Sequence, residues 1–517
     1  MKSSASRSLF SCSSCSSCLL RSIPYTRPAT APKVSPGLKH IRQNPGLYAQ
    51  NCLDRNYKAQ STNSWRILEL FAEWQACQSS ARGLRERGNT LRRKLANAAS
   101  RSGDAEGDIT MDKTALQKEG KEVKAELSVI EEKEKELTVE MERLALELPN
   151  LSSLSTPTGS EPEVIGYINE HPELNATEAE DRVWRSHVHI GAELGLLDFA
   201  AAATTSGWGW YYLINEAAML EQALIQYSLS VARKRGWTVV SPPSIVYAHM
   251  AAACGFQPRD QHGEQQIYTL EQPAKDAAKP PLVLAGTAEI PLAGMKANTI
   301  IEEANLPIKY IGVNRCYRAE AGARGVDTKG LYRVHEFTKV EMFAWTLPDA
   351  TASSTSNEDG NFATTESTSA SQPSPSDQLF DEILSIQTEI LTSLGLHCRI
   401  LEMPSTDLGA SAARKRDIEA FFPSRREKDN GWGEVTSTSV CTDYQTRRLH
   451  TRVKLGKEKG GALDFPYTLN GTAMAVPRVL AAILENGWDE KRMCVRVPEC
   501  LRPFMGGAEV IERKMVP

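Results

Sequence analysis

Two long heptad repeats, separated by a short polar segment, constrain the fold of this 517-residue chain more than any other feature of its sequence. Heptad seams of this length predict two long helices that pack as a coiled coil. Residues 100–112 contain two glycines and several polar side chains, so we expect a turn there. The hairpin is then antiparallel, with arms about 45–50 Å long at 1.5 Å per residue. The seam positions are Ile67, Leu70, Trp74, Cys77, Ala81, Leu84, Gly88, Leu91, Leu95 and Ala98, followed by Leu116, Gly120, Val123, Leu127, Ile130, Glu134, Leu137, Met141, Leu144 and Leu148.

The outer part of the first predicted helix is strongly basic, with Glu86 as its one acidic side chain. A rigid basic rod suits the phosphate backbone and grooves of a structured RNA. A solvated charged face or a dimerisation coiled coil explains the same pattern, so these interpretations stay open at this point. The basic residues are Arg82, Arg85, Arg87, Arg92, Arg93 and Lys94.

The N-terminus has a different charge balance from the rest of the chain. Overall, 60 Lys and Arg face 64 Asp and Glu, a formal charge of −4, yet the first acidic residue is Asp54. An acid-free leader rich in Arg and Ser is typical of a mitochondrial transit peptide. A plain disordered tail is the alternative. We expect a leader over residues 1–38, and we attribute the spacing of Cys12, Cys15 and Cys18 to composition bias rather than to metal binding.

The composition excludes several classes of protein. Hydrophobic residues make up 41 % and charged residues 24 %, which rules out a wholly disordered, collagen-like or disulfide-dense chain. No stretch reaches the roughly 18–20 continuous apolar residues of a membrane span, so we expect no membrane association. The eleven cysteines lack paired zinc spacing, which favours free thiols in a reducing compartment.

From about residue 161 the chain has a globular composition, with one low-complexity interruption. Residues 348–376 are dominated by Ser, Thr and Ala and contain three prolines. We expect this segment to be a disordered surface insertion without a catalytic role. The predicted organisation is therefore a leader over 1–38, an arm domain over 39–160 and a large domain over 161–517 that carries the insertion.

Residues 309–345 are predicted to form a strand, a glycine-rich loop and a second strand. With a period of two, Arg318 and Glu320 share a face of the first strand, and Arg333, Phe337 and Glu341 share a face of the second. Arginine forks bind phosphate oxygens, an aromatic ring stacks on a base, and a carboxylate holds an ammonium group. A nucleotide site and a surface network of salt bridges both remain possible on this motif alone.

Residues 468–486 are predicted to form a strand, a turn at Asn470 and Gly471, and a helix. Pro477 fits only a first helical turn. Arg478 then lies near a helix N-terminus, where the helix dipole and free N–H groups favour phosphate.

Four motifs together resemble those of class II aminoacyl-tRNA synthetases, specifically seryl-tRNA synthetases of the bacterial and organellar type. They are TAEIPL at 287–292, RCYRAEAGARGVDTKGLYRVHEF with KVE at 315–341, GEVTSTSVCTDYQTRR at 433–448 and LNGTAMAVPR at 469–478. The helical hairpin and LELPNLSS at 146–153 fit the same family, and the resemblance covers roughly residues 40–517. It implies an α+β fold, an antiparallel sheet flanked by helices, with an N-terminal antiparallel two-helix coiled-coil arm.

The resemblance also implies partners and a reaction. The family is dimeric through a helix that corresponds to residues 218–235, and it joins L-serine to tRNA(Ser) through a seryl-adenylate made from ATP and Mg²⁺. A mitochondrial location follows from the leader. We expect no catalytic zinc, because the large domain lacks the metal-ligand cluster of the family's zinc-dependent branch.

Roles for individual residues are likewise implied by the resemblance. Arg318 would contact the α-phosphate, Phe337 would stack on adenine, and Arg478 would hold the γ-phosphate. The implied catalytic residues are Arg318, Glu434 and Arg478. The implied ATP-binding residues are Arg318, Ala319, Glu320, Arg333, Phe337, Glu434, Val435, Thr436, Ser437 and Arg478, with Glu434 and Ser437 at Mg²⁺. The implied serine-binding residues are Thr287, Ala288, Glu289, Arg318, Glu341 and Thr472, and the implied tRNA contacts are Arg82, Arg85, Arg92 and Arg93.

The chain departs from the family pattern at a few positions. Thr472 stands where serine is frequent, and Val440 stands where asparagine is usual, so details of the pocket wall are open. Two alternatives remain: a synthetase-like paralogue that activates an amino acid without charging tRNA, and a coiled-coil scaffold with a nucleotide-binding module. The arm argues against the first, and the four motifs argue against the second.

Overall fold

The computed structural model describes residues 34–100, 106–171, 185–256, 266–276, 278–320, 330–349, 373–427 and 429–513, all within one compact unit that spans residues 32–517. Side chains are not described at 98–100, 106–113 and 459. Most of the predicted leader with Cys12, Cys15 and Cys18, most of the predicted insertion, and loop residues 321–329 lie outside the described residues.

The helices of the described residues fall into an N-terminal helical region and a set that surrounds the sheets. The first group is α1 (Leu38–Gln43), α2 (Pro45–Asp54), α3 (Asn63–Ser100) and α4 (Glu106–Glu147). The second group is α5 (His187–Glu193), α6 (Phe199–Ser206), α7 (Glu216–Lys234), α8 (Ala248–Ala253), α9 (Glu289–Gly294), α10 (Pro375–Ser393), α11 (Tyr444–Leu449) and α12 (Val476–Gly487).

The strands build one large sheet and several small ones. They are β1 (Glu163–Ile168), β2 (Leu197–Asp198), β3 (Tyr212–Leu213), β4 (Thr238–Val240), β5 (Ile245–Tyr247), β6 (Leu282–Leu284), β7 (Ile300–Glu302), β8 (Ile308–Tyr317), β9 (Glu336–Thr346), β10 (Cys398–Glu402), β11 (Arg414–Phe421), β12 (Trp432–Thr442), β13 (Arg452–Lys454), β14 (Leu463–Asp464), β15 (Tyr467–Ala475), β16 (Trp488–Asp489), β17 (Cys494–Arg496) and β18 (Val510–Glu512). In the described part of the chain the large sheet has the order β1-β10-β11-β12-β15-β9-β8-β4. Its pairs are antiparallel except β4 with β8.

The two arm helices pack along the predicted seam. Described seam positions are buried or partly buried, and the core at the base of the arm includes Ile67, Leu70, Leu137, Met141 and Leu144. The predicted turn over 100–112 is wrong at its C-terminal side, because α4 already begins at Glu106. A single glycine costs a helix only about 1 kcal/mol relative to alanine, so Gly107 does not prevent the earlier start.

A buried polar junction fastens the arm to the large sheet. The Asn150 side-chain amide donates to the carbonyls of Ser411 at 2.8 Å and Cys441 at 2.9 Å. Arg55, 1 % exposed, donates to the carbonyls of Asn150 and Gly409. Because buried donors left unpaired are costly, these bonds fix the position of the arm root.

Alternation along the strands gives the large sheet two different faces. In β9, Val340, Met342 and Ala344 pack with α7, α10 and α12 in the main core. Phe337, Lys339 and Glu341 point to the opposite face by the same alternation. The sheet therefore presents a polar row on the side away from its main hydrophobic core.

The two strands predicted at 309–320 and 331–345 are shorter and shifted. They run over Ile308–Tyr317 and Glu336–Thr346, so Arg318, Glu320 and Arg333 lie outside the strands, and their predicted shared faces are wrong. The N–H of Arg318 still donates to the carbonyl of His335 at 2.9 Å. Glu320 then takes a φ of +48°, a left-handed conformation that ends the extended chain.

The predicted turn at Asn470 and Gly471 is also wrong, because β15 runs without a break through both residues. Gly471 is needed for close packing: a Cβ there would lie 2.3 Å from Cγ2 of Ile383 on α10. The predicted helix does follow, and Pro477 occupies its first turn.

The predicted insertion over 348–376 ends earlier than expected. Ser374 caps α10 by accepting from the N–H of Asp377, and Pro375 begins the helix, so residues 373–376 are ordered. Asp349 accepts from the Ser376 hydroxyl at 2.6 Å. The described residues at the two ends of the predicted insertion therefore lie in contact.

Candidate active site

A cleft of about 560 Å³ opens on the polar face of the large sheet. Strands β9, β12 and β15 and the first turn of α12 form its walls, together with the segment that precedes β9. Most of the residues predicted to bind ATP meet here. The cleft is lined by Arg318, Glu320, Leu331, Tyr332, Arg333, Val334, Phe337, Lys339, Glu434, Val435, Thr436, Ser437, Thr472, Ala475, Pro477 and Arg478.

Arg478 lies in the first turn of α12, as the position of Pro477 predicts. Its Nη1 donates to the carbonyl and to Oε2 of Glu434, both at 3.0 Å, and its Nε donates to the carbonyl of Tyr332 at 3.1 Å. The guanidinium also lies 4.6 Å from the centre of the Tyr332 ring. These contacts hold the charge in one position at the end of the cleft.

Glu434 is charged within this cluster. Burial acts to raise the pKa of its carboxyl, but the Arg478 and Lys415 charges and the Arg478 hydrogen bond outweigh it. The pKa of Glu434 therefore lies well below its ordinary value. A fixed carboxylate beside an arginine suits a ligand that carries both phosphate and a bound cation.

Arg318 and Phe337 form the opposite wall of the cleft. The Arg318 guanidinium lies 5.2 Å from the centre of the Phe337 ring. The main chain of Arg318 is fixed on both sides, because its N–H donates to the His335 carbonyl and its carbonyl accepts from His335 Nδ1 at 3.0 Å. Next to it, Arg333 forms an ion pair with Glu320.

A buried acidic pocket lies beside Thr472 on the floor of the cleft. Glu341 and Thr472 are cross-strand partners, and the Thr472 hydroxyl donates to Glu341 Oε2 at 3.3 Å. Asn470 Nδ2 lies 3.1 Å from Glu289 Oε2 and 3.5 Å from Glu341 Oε1. Lys339 pairs with Glu341 at 2.8 Å. Two carboxylates and a hydroxyl thus converge where a small polar ligand with a cationic group would be held.

Glu289 has an unusual protonation equilibrium. Burial raises the pKa of its carboxyl to about 8, and the negative charge of Glu341 adds to the shift. Lys339 and the hydrogen bond from Gln445, 2.6 Å long, act in the opposite direction. At neutral pH the carboxyl of Glu289 is therefore largely protonated in the absence of a cationic ligand.

Two further predicted serine-binding residues, Thr287 and Ala288, directly precede Glu289 in the chain and are not among the residues that line the wider cleft. Thr287, Ala288 and Glu289 are all buried, and the Thr287 hydroxyl accepts from the N–H of Glu289 at 3.4 Å. Val440 packs in the main hydrophobic core and is not among the residues that line the cleft.

Sequence reasoning assigned no role in the site to four residues that complete it: Tyr332, Lys339, Gln445 and Asn470. Asn470 and Gln445 lie inside the quoted motifs LNGTAMAVPR and DYQTRR, and Lys339 lies two residues before Glu341. Each of these three residues is polar and contacts a buried carboxyl group, and their polar side chains within or beside the motifs were the signal that could have identified them. Tyr332 had none, because its role depends on Arg478, 146 residues further along the chain.

Some arginines of the basic face predicted for the arm already form ion pairs with the second arm helix. Arg85 pairs with Glu131 at 3.0 Å and Arg87 with Glu119 at 2.7 Å, because the flanking positions of α3 face the acidic helix α4. Helix α4 carries thirteen acidic and seven basic side chains. Arg82, Arg92 and Arg93 are exposed and form no ion pair with a described residue. The tRNA contacts remain predictions.

The described part of the chain has neither a metal-ligand cluster nor a membrane-spanning helix. No three His, Cys, Asp or Glu side chains there are grouped so that they could hold a metal ion. No helix there has the length and apolar character needed to cross a membrane.

Comparisons with known proteins agree with this geometry. Residues 37–152 match the model of the seryl-tRNA synthetase N-terminal domain, and residues 268–358 and 360–487 match that of the class II tRNA synthetase core domain for G, H, P, S and T. The mitochondrial serine--tRNA ligase of Saccharomyces cerevisiae is 39 % identical over 78 % of this chain and 82 % of the relative. The serine--tRNA ligase of Rubrobacter xylanophilus is 36 % identical over 91 % of this chain and 97 % of the relative.

Solved structures show the same likeness. Seryl-tRNA synthetase from Pyrococcus horikoshii, crystallised with ATP, superposes with a TM-score of 0.76 at 29 % identity and covers 92 % of this chain and 99 % of that one. A cytoplasmic serine-tRNA ligase from Naegleria fowleri in complex with AMP gives a TM-score of 0.72 at 25 % identity, with the same coverage. Because both domain models match and relatives are 36–39 % identical over most of the chain, the chain belongs to the seryl-tRNA synthetase family of class II aminoacyl-tRNA synthetases.

Proposed function

We propose that this enzyme ligates L-serine to tRNA(Ser) in two steps and supports translation in mitochondria. The observation that carries the proposal is that β15 and α12 form one continuous element with Thr472 beside the acidic pocket and Arg478 at the far end of the cleft. One cleft thereby joins a site for an amino acid to a site for a nucleotide. The relative crystallised with ATP supports ATP as that nucleotide.

In the first step, a carboxylate oxygen of serine attacks the α-phosphorus of ATP, and the bond to pyrophosphate breaks. Seryl-adenylate and pyrophosphate are the products. The reaction needs no covalent enzyme intermediate, so catalysis rests on positioning and on stabilising the charge that develops at phosphorus. Arg318 faces the α-phosphate, Phe337 stacks on adenine, and Arg478 holds the terminal phosphate of ATP.

In the second step, a hydroxyl of the terminal adenosine of tRNA attacks the seryl carbonyl, and AMP leaves. The arm holds the tRNA during this step through Arg82, Arg85, Arg92 and Arg93. Arg85 has to exchange Glu131 for a phosphate, whereas the other three arginines are exposed and carry no described ion pair. We therefore propose an arm domain over 39–160 and a catalytic domain over 161–517.

Glu434 and Ser437 are the residues that would hold Mg²⁺ together with ATP. Both line the cleft, and the Glu434 carboxylate is ionised. One carboxylate and one hydroxyl fit Mg²⁺, which keeps most of its coordination for phosphate oxygens and water. The ion would supply neutralisation of phosphate charge, while Arg478 keeps Glu434 in place. Ala319, Glu320, Arg333, Val435 and Thr436 complete the proposed nucleotide contacts.

Selectivity for serine follows from the polar pocket. Glu289, Glu341, Thr287 and Thr472 present buried groups that a ligand hydroxyl and ammonium can pair. A site built to hydrogen-bond a hydroxyl strongly rejects analogues that lack it, since its buried polar groups are then left unpaired. Alanine and glycine should therefore be poor substrates.

The direct test uses the purified protein without its leader. We expect exchange of pyrophosphate into ATP only when serine is present, and we expect charging of tRNA(Ser) with serine. Alanine and glycine serve as controls, with a loss on the order of 10³-fold or more in kcat/KM for exchange. Exchange without charging would support the amino-acid-activating paralogue, and absence of both activities would overturn the proposal.

Serine binding should release a proton near neutral pH. Because the pKa of Glu289 is raised to about 8 in the free enzyme, the arriving ammonium group has to displace that proton to gain an ionised partner. Affinity for serine should therefore rise from pH 6 to pH 8, by up to about tenfold per unit, and level off above pH 8. Calorimetry at pH 7 in two buffers of different ionisation enthalpy should give a value between about 0.5 and 1 proton released per serine.

The Glu289→Gln variant is the matched control, because it keeps the shape of the side chain and removes the titration. Its affinity for serine is expected to be weaker and independent of pH between 6 and 8. A wild-type affinity that is equally flat over this range would rule out Glu289 as the titrating group.

We also propose a homodimer. Large apolar side chains are exposed along one stretch of the chain from α7 to β5: Met219, Val239, Ile245 and Tyr247. Groups of exposed apolar side chains commonly mark interaction surfaces. A second copy is the expected partner, and sedimentation of the purified protein measures its mass directly.

The leader supports a mitochondrial location. Residues 1–53 lack acidic side chains, and relatives from S. cerevisiae and Schizosaccharomyces pombe are named mitochondrial. We propose that the leader directs import into the mitochondrial matrix. Residues 1–53 fused to a fluorescent protein should then accumulate in mitochondria, and a diffuse signal would contradict this role.

A further inference from the structure

A buried histidine links helix α12 to the nucleotide side of the cleft. His187, the first residue of α5, is 6 % exposed. Its Nδ1 lies 2.8 Å from Oε1 of Glu485, and its Nε2 lies 3.0 Å from the main-chain nitrogen of Leu331. These three residues come from segments separated by more than 140 positions in the sequence.

The chemistry of the partners assigns the protons. A main-chain N–H can only donate, so Nε2 of His187 is the acceptor for Leu331. The imidazole then carries its proton on Nδ1 and donates it to Glu485. Each nitrogen of the neutral imidazole therefore takes part in a hydrogen bond, and these bonds fix a single tautomer.

Glu485 is a fully buried carboxylate that gathers several donors. Besides the imidazole, Oε1 accepts from the main-chain N–H of His187 at 3.0 Å and from the Ser424 hydroxyl at 2.8 Å. Oε2 accepts from the N–H of Ser424 at 3.1 Å. A buried charge is tolerated when it is hydrogen-bonded in this way, so Glu485 is a firm anchor for the ring.

Leu331, the hydrogen-bond partner of Nε2, directly precedes two residues of the nucleotide site. Leu331 is completely buried, and it is followed by Tyr332 and Arg333, which line the cleft. The carbonyl of Tyr332 accepts from Arg478, and its ring lies under the guanidinium of Arg478. A shift of Leu331 would move both contacts.

Gly330 allows the main chain to approach the imidazole of His187 closely. Its φ is +86°, a conformation that residues with a side chain rarely adopt. A Cβ at this position would lie 2.2 Å from Nε2 of His187. Glycine is thus required both by the backbone conformation and by the space that the imidazole fills.

We infer that His187, anchored by Glu485, is a positioning residue that fixes the segment Leu331–Arg333 for ATP. It touches no reacting atom in this scheme. It acts through the N–H of Leu331, so its loss should weaken ATP binding and leave the serine pocket intact. The inference rests on the proposed function, because ATP is taken as the nucleotide in the cleft.

The test compares His187→Phe with two matched variants. Phenylalanine keeps the ring and removes both hydrogen bonds, and we expect the KM for ATP in serine-dependent exchange to rise about tenfold or more, with the KM for serine within about twofold of wild type. His187→Gln keeps one donor and one acceptor and should recover most of the ATP affinity. His397→Phe removes another buried histidine, bonded to the Asn169 carbonyl and outside the cleft, and should lower stability alone.

Several outcomes would overturn this role. An unchanged KM for ATP in His187→Phe would do so, and so would equal increases in both KM values that simply follow a loss of stability, as a structural histidine would give. If His187→Phe does not fold, Glu485→Gln provides the same comparison, since it weakens the anchor without changing its shape.

Calorimetry of ATP binding separates this inference from the proposed function. A wild-type protein without serine-dependent exchange contradicts the function. The ratio of ATP dissociation constants between wild type and His187→Phe still tests the positioning role, and a ratio of about one would reject it.

Discussion

Replacing residues 75–136 by a short Gly-Ser turn is expected to reduce tRNA charging by about 100-fold or more while serine-dependent exchange stays within about threefold of wild type. The ends of the deletion lie opposite each other in the hairpin, because Gln78 on α3 donates a hydrogen bond to Glu134 on α4 at 2.8 Å. The fully buried residues at the base of the arm, which include Ile67, Leu70, Leu137 and Met141, all lie outside the deletion. The cleft lies in the catalytic domain, so adenylate formation should not sense the deletion.

A charge-reversal pair localises the effect on the arm. Arg92→Glu with Arg93→Glu should raise the KM for tRNA and lower its dependence on salt, since fewer phosphate contacts release fewer counterions. Arg66→Glu is the matched control at the base of the same helix, where Arg66 already pairs with Glu69. Equal losses of exchange and charging in the deletion would deny the arm a separate tRNA-binding role. Wild-type charging by the double variant would exclude this basic face.

Arg318→Ala should reduce serine-dependent exchange about 10²–10³-fold, the usual cost of removing one group that stabilises developing charge in a transition state. The main chain at this position is fixed by two hydrogen bonds with His335, which do not depend on the arginine side chain. The side chain is only partly buried, so we expect the thermal unfolding midpoint to change little. The measurement is kcat/KM for exchange alongside the unfolding midpoint.

Two variants make this prediction specific. Arg318→Lys keeps the charge but loses the planar fork, and it should recover part of the rate. Arg315→Ala removes an arginine three residues earlier, whose side chain pairs with Glu221 and Glu336. It should retain wild-type exchange. Wild-type exchange in Arg318→Ala would show that the assignment of this residue is wrong.

The sequence predicted the arm well because its information is local and periodic. A heptad seam repeats every seven residues, and Ile67, Leu70, Leu137 and Met141 are buried as that period requires. The ion pairs of Arg85 and Arg87 were missed because they depend on which glutamates of the second helix come opposite them.

Strand ends and turns were predicted less well, since they depend on contacts between distant segments. Asn470 and Gly471 are common turn residues, yet β15 passes through them because Gly471 packs against Ile383 on another element. Arg333 fits the alternation of a strand, but β9 begins only at Glu336, so Arg333 lies outside the paired residues. The motifs brought the right residue types into one cleft without showing their geometry.

The link between His187 and Glu485 lay wholly outside sequence reasoning. The two residues are 298 positions apart, and neither belongs to one of the four motifs. A histidine near a helix start and a glutamate within an apolar helix are ordinary features when each is taken alone. Their function emerges only when the fold brings both to Leu331.

The unbroken passage from β15 into α12 has a consequence for the design of inhibitors. Thr472 and Arg478 are joined by a strand and a helical turn with no loop between them, so the backbone sets the span from the amino-acid pocket to the end of the phosphate site. A stiff, non-hydrolysable compound that carries a serine-like head and an anionic group in place of the terminal phosphate would meet Thr472 and Arg478 already at the correct separation. Such preorganisation favours tight binding, because neither ligand nor protein loses much freedom on association.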